Sequence, residues 1–390
     1  MLAANQAMIR AAMPFVGAEP PILVDWLPWN HTFGSNHNFG LVLDNGGSLY
    51  IDEGKPLPGA IEATMRNLRE IAPTIYFNVP KGFEMLLPAL AADGALRETF
   101  FSRLKVLFYA GAGLAQHVLD GFTELAVKTT GERILFMSSL GSTETAPAAL
   151  SCNWQSERAG NIGLPLPGVT LKLIPREGKL EARLAGDNIM PGYWRTPELT
   201  ADAFDEEGFY KIGDALKFAD PADPAKGMLF DGRLAEDFKL ATGTWVSVGP
   251  LRAAFIAHCA PLVRDAVLAG AERDEVTALI FPDVDACRGL ASDLPADASV
   301  PQLLGDPRVR AAFARKLASF AAVASTGTSG RVMRAVLLAK PASLDIGEMT
   351  DKGSINQRAV LAHRAATVEA LYADPPPPHV IVAKQTAEVT

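Results

Sequence analysis

Short runs of β-branched and aromatic residues alternate with longer amphipathic stretches along the first 140 residues. The short runs predict β-strands at residues 48–52, 74–78, 105–109 and 134–138, and the longer stretches predict helices at 58–71 and 115–129. Strands that alternate with helices favour a parallel sheet with crossover helices, in which ligands gather at the carboxyl ends of the strands. Residues 1–150 are therefore interpreted as an α/β subdomain.

The pattern changes after Cys152, where the predicted strands are short and closely spaced. Residues 169–174, 179–184 and 227–230 have strand patterns, and a turn signal at 176–178 separates the first two. We expect residues 151–232 to form an antiparallel unit, a small β-barrel. Together the two subdomains would make a large domain of residues 1–232.

A smaller α+β domain is predicted for residues 233–374. Its pattern indicates a helix that opens at Pro250, a strand at 277–281, a helix at 301–322, a strand at 331–340 and a helix at 355–372. Four consecutive prolines follow Asp374, so residues 375–390 are expected to form an extended, poorly ordered tail.

Composition argues against several classes of partner. The 390 residues carry a net charge of −8 and their basic residues form no stripe, so nucleic acid is not an expected partner. No apolar run approaches the ~20 residues that span a membrane, and the first residues lack a signal-peptide pattern. The three cysteines fit neither a disulfide framework nor a zinc site, which indicates the reducing cytoplasm. The oligomeric state stays open.

The segment Gly141-Ser142-Thr143-Glu144-Thr145 follows the strand predicted at 134–138. Glycine lets a phosphate approach the backbone, Thr143 can bond a phosphate oxygen, and Glu144 can hold Mg²⁺ beside it. Turns of this composition are also common without any ligand, so the segment alone does not identify a site.

Three other segments have the same ambiguity. Tyr109-Ala110-Gly111-Ala112-Gly113 offers a flat ledge for an aromatic ring, or simply a tight turn between strand and helix. Asp214 after Gly213, with Asp231-Gly232-Arg233 further on, could bond a ribose diol, or could stand in plain turns. Lys352 lies in a loop before a helix, where most lysines are merely solvated.

His31 lies among aromatic residues, where a histidine is usually a hydrogen-bonded core residue. His37 lies six residues later, but no carboxylate or cysteine at ligand spacing accompanies the pair, so a metal site is rejected here. Residues 325–331 resemble a phosphate loop in composition. They lack the following Lys-Ser/Thr and do not open a helix, so they are interpreted as a flexible linker.

Taken in order, these segments resemble the adenylate-forming superfamily of acyl-CoA synthetases, aryl-CoA ligases, luciferase and peptide-synthetase adenylation domains. Seven matches across nearly the whole chain carry the resemblance, at residues 27–34, 109–114, 141–144, 190–204, 208–214, 232–233 and 352–353. Within the superfamily, the chain is most similar to the feruloyl-CoA synthase subgroup. This similarity lies in the sequences of residues 29–34, 108–112, 142–147 and 350–357.

The resemblance implies a ligase that joins a carboxylic acid to coenzyme A through an acyl-adenylate, with ATP, Mg²⁺ and CoA as cofactors. Lys352 would bridge carboxylate and phosphate, Thr143 would bond the phosphate, Glu144 would hold Mg²⁺, and His31 would line the passage to the CoA thiol. The small domain would rotate between the two half-reactions and carry Lys352 away. The implied nucleotide contacts are Gly111, Ala112, Gly113, Gly141, Ser142, Thr143, Asp214 and Arg233.

Three departures from the family pattern qualify these expectations. Leu140 stands where an aromatic residue often precedes the Gly-x-Thr-Glu motif, and Ala235 stands where the hinge usually has Asp or Lys. The Ser/Thr/Gly-rich loop that should precede Met1 is missing, so we expect an N-terminally truncated chain that adenylates poorly by itself. The expected substrate is a hydroxycinnamic acid such as ferulate. The alternatives are another aryl acid, a fatty acid, or a noncatalytic relative that binds an acyl or nucleotide ligand.

Overall fold

The computed structural model describes residues 1–57, 59–176, 178–295, 297–323, 327–350 and 354–383. The chain divides into two compact units, residues 1–230 and residues 231–390. Among the described helices, none is both long and apolar enough to cross a membrane.

The first unit is built around a mixed β-sheet. Its strands are β1 (Ile22–Asp25), β2 (Ser48–Ile51), β3 (Ile75–Asn78), β4 (Val106–Ala110), β5 (Leu135–Gly141), β6 (Ala148–Cys152), β7 (Asn161–Pro165), β8 (Thr170–Arg176), β9 (Lys179–Ala185), β10 (Tyr210–Phe218) and β11 (Met228–Arg233). Nine of these described strands form one sheet in the order β3-β4-β5-β6-β7-β11-β10-β9-β8, and β1 and β2 form a separate parallel pair. Strands β3, β4 and β5 are parallel, whereas β6 pairs with β5 and with β7 in antiparallel fashion.

Helices cover both faces of the parallel strands. They are α1 (Leu2–Ala12), α2 (Gly40–Asp44), α3 (Ile61–Glu70), α4 (Pro80–Ala92), α5 (Gly94–Phe101) and α6 (Gln116–Thr130), followed by the short α7 (Pro197–Ala203). Alternate residues of a strand point to opposite faces. Phe77 and Phe108 accordingly join the core beside α1 and α2, whereas Tyr76 and Leu107 join the core beside α4 and α6. Burial on both faces explains why these strands are continuous apolar runs.

The fold class expected from the sequence is confirmed, with one difference in the antiparallel part. The strands predicted after Cys152 are present, but they extend the parallel sheet instead of closing into a barrel of their own. The reason is β6, which lies between the two parts and hydrogen-bonds both: Leu150 pairs with Leu140 of β5 and with Pro165 of β7.

The second unit has a smaller sheet in the order β14-β15-β16-β17, plus a two-stranded β12-β13 hairpin. Its strands are β12 (Phe238–Lys239), β13 (Trp245–Val246), β14 (Val263–Ala269), β15 (Val276–Pro282), β16 (Val332–Leu337) and β17 (Ile381–Val382). Its helices are α8 (Val248–Cys259), α9 (Val284–Leu290), α10 (Val300–Gly305), α11 (Pro307–Val323), α12 (Gln357–His363) and α13 (Ala365–Tyr372). Helices α8 and α11 share a core on one face, and α12 and α13 contribute to the core on the other.

Two helices predicted as single segments are each broken in the structure. The helix expected at 301–322 is α10 and α11, separated at Asp306, because Pro307 disfavours helical backbone in the residue before it. Pro307 then occupies the first turn of α11, where its missing N–H costs nothing. The helix expected at 355–372 is α12 and α13, which meet at Arg364 with φ −108° and ψ 28°.

The prediction of a poorly ordered tail from residue 375 is wrong for its described part, residues 375–383. Strand β17 pairs with β16, with Ile381 opposite Ala335 and Val382 opposite Arg334. Arg310 of α11 also donates hydrogen bonds to the carbonyl oxygens of Pro378 (2.7 Å) and Val380 (3.4 Å). The prolines therefore lead into an edge strand of the sheet.

Candidate active site at the carboxyl edge of the parallel strands

The glycine-containing ledge at residues 111–113 and the Gly-Ser-Thr-Glu turn at residues 141–144 lie at the ends of neighbouring parallel strands. Strand β4 ends at Ala110, which is opposite Ser139 of β5, and β5 ends at Gly141. Parallel neighbours put their carboxyl ends at one edge of a sheet, so the structure brings these two predicted segments together. Residues 111–113 of the ledge are exposed, and Gly111 has φ +87°, which suits glycine.

The turn after β5 closes on itself through Thr145. The backbone N–H of Ser142 donates to Thr145 Oγ1 at 2.9 Å, and the same hydroxyl donates to the carbonyl oxygen of Pro147. A Cβ atom on Gly141 would lie 1.7 Å from that carbonyl oxygen, so only glycine fits this position. Thr145 is fully buried, whereas Thr143 is exposed. The hydroxyl that closes the turn is therefore distinct from the hydroxyl available to a ligand.

Glu144 is half-buried beside two tyrosines. The Tyr193 hydroxyl donates to Glu144 Oε1 at 2.9 Å, and the backbone N–H of Met190 donates to the Glu144 carbonyl oxygen at 2.8 Å. Burial raises the pKa of the Glu144 carboxyl, but hydrogen bonds from its own N–H, Ser142, Tyr193 and Tyr210 outweigh burial and lower the pKa overall. The side chain is thus held as a carboxylate at neutral pH.

Two buried asparagines hydrogen-bond to the backbone of the turn and of the strand that follows it. Neither was identified from the sequence. Asn5 of α1 donates to the Ala148 carbonyl oxygen at 2.7 Å and accepts from the Ala148 N–H at 3.1 Å. Asn188 donates to the carbonyl oxygens of Thr145 (2.9 Å) and Ala148 (3.0 Å). Both asparagines are completely buried. Asparagine is a poor helix former, so its presence among the apolar positions of α1 was the sequence feature that could have indicated a role for Asn5.

His31 is half-buried and lies just before the seven-residue π-helix Phe33–Phe39, and its Nδ1 accepts the backbone N–H of Phe33 at 3.1 Å. His37, which the sequence analysis rejected as a metal ligand, packs against the rings of Phe77 and Phe108 with centroids 5.2 and 5.1 Å away. Burial lowers the pKa of His37 to about 4, so it is neutral at physiological pH. His37 is therefore a core residue, whereas His31 is accessible.

The other predicted site residues belong to other segments of the chain. Asp214 is buried, 3% exposed, at an irregularity where the pairing of β10 with β9 shifts between Lys211 and Ala215. Its neighbour Gly213 has φ +81°. Arg233 ends β11 and belongs to the second unit. Lys352 lies outside the described residues.

The edge fits a divalent cation only if a ligand supplies most of the donors. Among the described residues, no group of three or more histidine, cysteine, aspartate or glutamate side chains is placed to hold a metal. Mg²⁺ commonly binds one or two carboxylates together with substrate phosphates and water. Glu144 provides one such carboxylate next to the exposed Thr143, which suits a cation that arrives with a phosphate.

Two sequence-family models match the chain. The model described as AMP-binding enzyme matches residues 2–194, and the model described as AMP-binding enzyme C-terminal domain matches residues 237–375. Together they cover both structural units.

Curated relatives include several acid-activating proteins. The chain is 26% identical to a carboxylic acid reductase of Segniliparus rugosus over 382 residues, 91% of this chain and 29% of that protein. It is 28% identical to a long-chain-fatty-acid–CoA ligase of Mycobacterium bovis over 68% of this chain and 39% of the relative. It is also 28% identical to an anthranilate–CoA ligase of Pseudomonas aeruginosa, over 60% of this chain and 43% of the relative. The chain thus spans less than half the length of these relatives.

Solved structures share the fold. The A domain of the Segniliparus rugosus carboxylic acid reductase, in complex with AMP and a co-purified carboxylic acid, superposes with a TM-score of 0.69 at 21% identity. That match covers 95% of this chain and 59% of the other. An ATP-bound protein of Rhodopseudomonas palustris superposes with a TM-score of 0.65 at 20% identity, over 94% of this chain and 64% of the other.

Proposed function

The chain belongs to the AMP-binding enzyme family, and from this we propose that it takes part in the ATP-dependent activation of a ferulate-like aromatic carboxylic acid. The acid would become an acyl-adenylate and then a thioester of coenzyme A. The observation that carries the proposal is the edge at β4 and β5, where the glycine ledge lies beside the exposed Thr143 and the ionised Glu144.

The reaction requires these groups because an anionic carboxylate must attack the anionic phosphate of ATP. A carboxylate oxygen bonds to the α-phosphorus of ATP while the bond from that phosphorus to the bridging oxygen breaks, and pyrophosphate leaves. Thr143 would donate its hydroxyl to a phosphate oxygen, and Lys352 would offset charge on carboxylate and phosphate. Mg²⁺, held by Glu144, would supply further neutralisation when bound. Groups that stabilise developing charge are typically worth roughly 10²–10³ in rate each.

In the second half-reaction, the thiol of CoA gives up its proton to solvent and its sulfur bonds to the acyl carbon, while the acyl–oxygen bond breaks and AMP leaves. The exposed ledge Gly111-Ala112-Gly113 would lie against the adenine, with Gly141 and Ser142 nearby, and Asp214 and Arg233 would hold the ribose. His31 would line the path of the thiol, where an accessible ring suits the role better than the buried His37.

The proposal that the substrate is aromatic rests on sequence similarity. The segments at 29–34, 108–112, 142–147 and 350–357 resemble feruloyl-CoA synthase, and one relative, the anthranilate–CoA ligase, is by its name a ligase of an aromatic acid. A fatty acid or another aryl acid is the alternative, because fatty-acid ligases are equally similar. A noncatalytic binder of acyl or nucleotide ligands is the alternative of a different class.

A second candidate is activation of the acid for reduction instead of for transfer to CoA. The observation that favours it is the reductase match, which spans 91% of this chain, more than the CoA ligases do. Both candidates share the acyl-adenylate and differ in its fate.

Non-hydrolysable acyl-sulfamoyl-adenosines and preformed acyl-adenylates test the proposal. Calorimetry should show that the feruloyl analogue binds more tightly than the palmitoyl and anthraniloyl analogues, and that Thr143→Val weakens its binding. Thr129→Val, on α6, is the matched control and should leave affinity unchanged. Feruloyl-adenylate and CoA should give feruloyl-CoA. Tight binding without transfer to CoA would point to the noncatalytic alternative, and preference for the palmitoyl analogue would refute the aromatic substrate.

A further inference from the structure

The segment of residues 190–193 contacts Glu144 at two points. The backbone N–H of Met190 donates to the Glu144 carbonyl oxygen at 2.8 Å, and the Tyr193 hydroxyl donates to Glu144 Oε1 at 2.9 Å. Tyr193 lies 49 positions from Glu144 in the sequence. This short segment therefore holds both the backbone and the carboxylate of a distant glutamate.

The backbone around Tyr193 is itself fixed by local hydrogen bonds. The N–H of Tyr193 donates to Thr200 Oγ1 at 2.9 Å, and that hydroxyl donates to the carbonyl oxygen of Thr196 at 3.1 Å. Between them, Arg195 has φ +56°, in the left-handed region that residues other than glycine rarely adopt. Backbone of this kind persists only where the surrounding contacts determine it. The position of Tyr193 is thus set by its loop.

A second phenol reaches the same carboxylate from a different element. Tyr210, the first residue of β10, is 6% exposed, and its side chain also makes a hydrogen bond to Glu144. Tyrosine keeps its proton at neutral pH, so both phenols donate to the ionised carboxylate. Tyr193 is 38% exposed. Tyr210 therefore holds the carboxylate from the interior, and Tyr193 holds it on the accessible side.

A gain in stability does not explain the Tyr193 contact. A hydrogen bond within the protein replaces bonds that both groups make with water, so its net contribution is small where both remain accessible. Trp194, the next residue, is 85% exposed, so burial of that side chain does not stabilise the loop either. The contact does fix the carboxylate, because a hydrogen bond to a charged oxygen is short and strong.

The occupied oxygen has a consequence for a cation at Glu144. A carboxylate that accepts a hydrogen bond on Oε1 binds a cation best through its other oxygen. Mg²⁺ suits that arrangement, because it demands near-octahedral geometry and keeps several waters. Ca²⁺ takes more oxygen ligands in a flexible geometry, and it accepts a carboxylate through one oxygen or through both.

We propose that Tyr193 is a positioning residue for Glu144, which holds Oε1 so that the carboxylate binds a cation through one oxygen and favours Mg²⁺ over Ca²⁺. Tyr210 is the second support of the same carboxylate. The inference rests on the proposed function, because that function assigns the cation to Glu144. All three residues belong to the first unit.

The experiment measures how a metal changes nucleotide binding by the full chain. The probe is α,β-methylene-ATP, an analogue that cannot release pyrophosphate, and calorimetry gives its affinity with Mg²⁺, with Ca²⁺ and with EDTA. Tyr193→Phe removes only the hydroxyl, and Thr200→Val removes the acceptor of the Tyr193 N–H. The matched control is Tyr50→Phe, which alters a tyrosine of β2 that is 45% exposed.

Tyr193→Phe should weaken binding in Mg²⁺ by about 10- to 100-fold, the usual effect of losing a hydrogen-bond partner of a metal ligand. Binding in Ca²⁺ should weaken less, since Ca²⁺ can use both oxygens once Oε1 is released, and binding in EDTA should not change. Thr200→Val should give the same pattern with a smaller loss, because the Tyr193 hydroxyl remains. Tyr50→Phe should match wild type in all three conditions.

Three results would overturn the inference. Equal losses in Mg²⁺ and Ca²⁺ would show that Tyr193 does not select the cation, and a matching loss in EDTA would show a merely structural role. If wild type binds the analogue more tightly with Mg²⁺ and Tyr193→Phe does the same to an equal extent, the inference fails while the proposed function stands. If wild type binds the analogue in none of the three conditions, the proposed function fails, and the inference fails with it.

Discussion

Asp25 at the end of β1 predicts a specific dependence of stability on pH. Its carboxylate is 6% exposed and accepts the backbone N–H of Leu27 at 3.0 Å and the side-chain amide of Asn38 at 2.9 Å. Burial, and to a smaller extent the charge of the nearby Asp52, raises the pKa of Asp25 to about 6, although the two hydrogen bonds act to lower it. In the unfolded chain the group would titrate near its ordinary value of 3.8.

The sign and size follow from linkage. Because the pKa of Asp25 is higher in the folded state, its contribution to stability is complete below pH 3.8 and disappears as pH rises through about 6. The shift from 3.8 to about 6 corresponds to about 3 kcal/mol, at 1.36 kcal/mol for each pKa unit. Asp25→Asn should therefore stabilise the first unit at pH 7 to 8 by up to about 3 kcal/mol, and by less than about 1 kcal/mol at pH 4.

The surroundings of Asp25 can accept the amide. The oxygen of an asparagine at position 25 can still accept the Leu27 N–H, and its NH₂ group then faces Asn38. Asn38 can turn its amide to present oxygen, which places its NH₂ group at Nδ1 of His37, now 2.9 Å from the Asn38 oxygen. A neutral histidine accepts there by changing tautomer.

The assay is urea unfolding between pH 4 and 8, followed by tryptophan fluorescence. Four of the five tryptophans, Trp26, Trp29, Trp154 and Trp194, belong to the first unit, so the signal reports mainly on it. Asp202→Asn, which removes an exposed carboxyl on α7, is the matched control. A difference between Asp25→Asn and wild type that is flat with pH, or largest at pH 4, would refute the reasoning.

Two further predictions concern the same unit. The pKa of His37 is lowered from 6.5 to about 4 by burial, so wild type should lose about 3 kcal/mol as pH falls from 6.5 to 4; His37→Gln should lack this loss, and equal slopes in urea titrations would contradict the assignment. Gly141→Ala forces a Cβ atom against the Pro147 carbonyl oxygen and should cost about 1–3 kcal/mol, measured as a lower melting temperature. Gly113→Ala, whose Cβ meets nothing within 4 Å, should melt like wild type, and matching losses in both would refute the steric argument.

The parallel strands were predictable because their environment is uniform. Strand β3 is buried along its whole length, and β4 is buried except at Ala110, so both appear in the sequence as unbroken apolar and aromatic runs. Strand β6 was missed although all five of its residues are buried, because Ala148–Cys152 has two alanines and a serine and only one strongly apolar residue. The place of β6 in the sheet depends on its pairing with β5 and β7, and a local sequence pattern does not show which strands will pair.

The tail was mispredicted for a related reason. A run of prolines does favour extended backbone with no internal hydrogen bonds. Whether such backbone is ordered depends on what lies beside it, here the edge of β16 and the Arg310 guanidinium. Arg310 is 68 residues from Pro378 in the sequence. No local feature of the proline run indicates that contact.

The turn at 141–147 shows why the residues that support its backbone could not be predicted from the sequence. Thr143 is exposed and Glu144 is half-buried, whereas the carbonyl oxygens of Thr145 and Ala148 accept hydrogen bonds from the buried Asn188. A buried carbonyl left without a donor costs about 1–3 kcal/mol, so donors must come from elsewhere in the chain. Asn5 lies 143 residues from the carbonyl that it binds.

The choice of amides as those donors has an electrostatic consequence. A lysine or arginine in place of Asn5 or Asn188 could also satisfy the carbonyl oxygens, but it would bring a positive charge close behind Glu144. That charge would compete with a cation for the Glu144 carboxylate, and in a buried site it would be screened only weakly. A neutral amide fixes the backbone without altering the local field. The geometry of the turn is therefore set by distant, uncharged residues, and its charge is that of Glu144 alone.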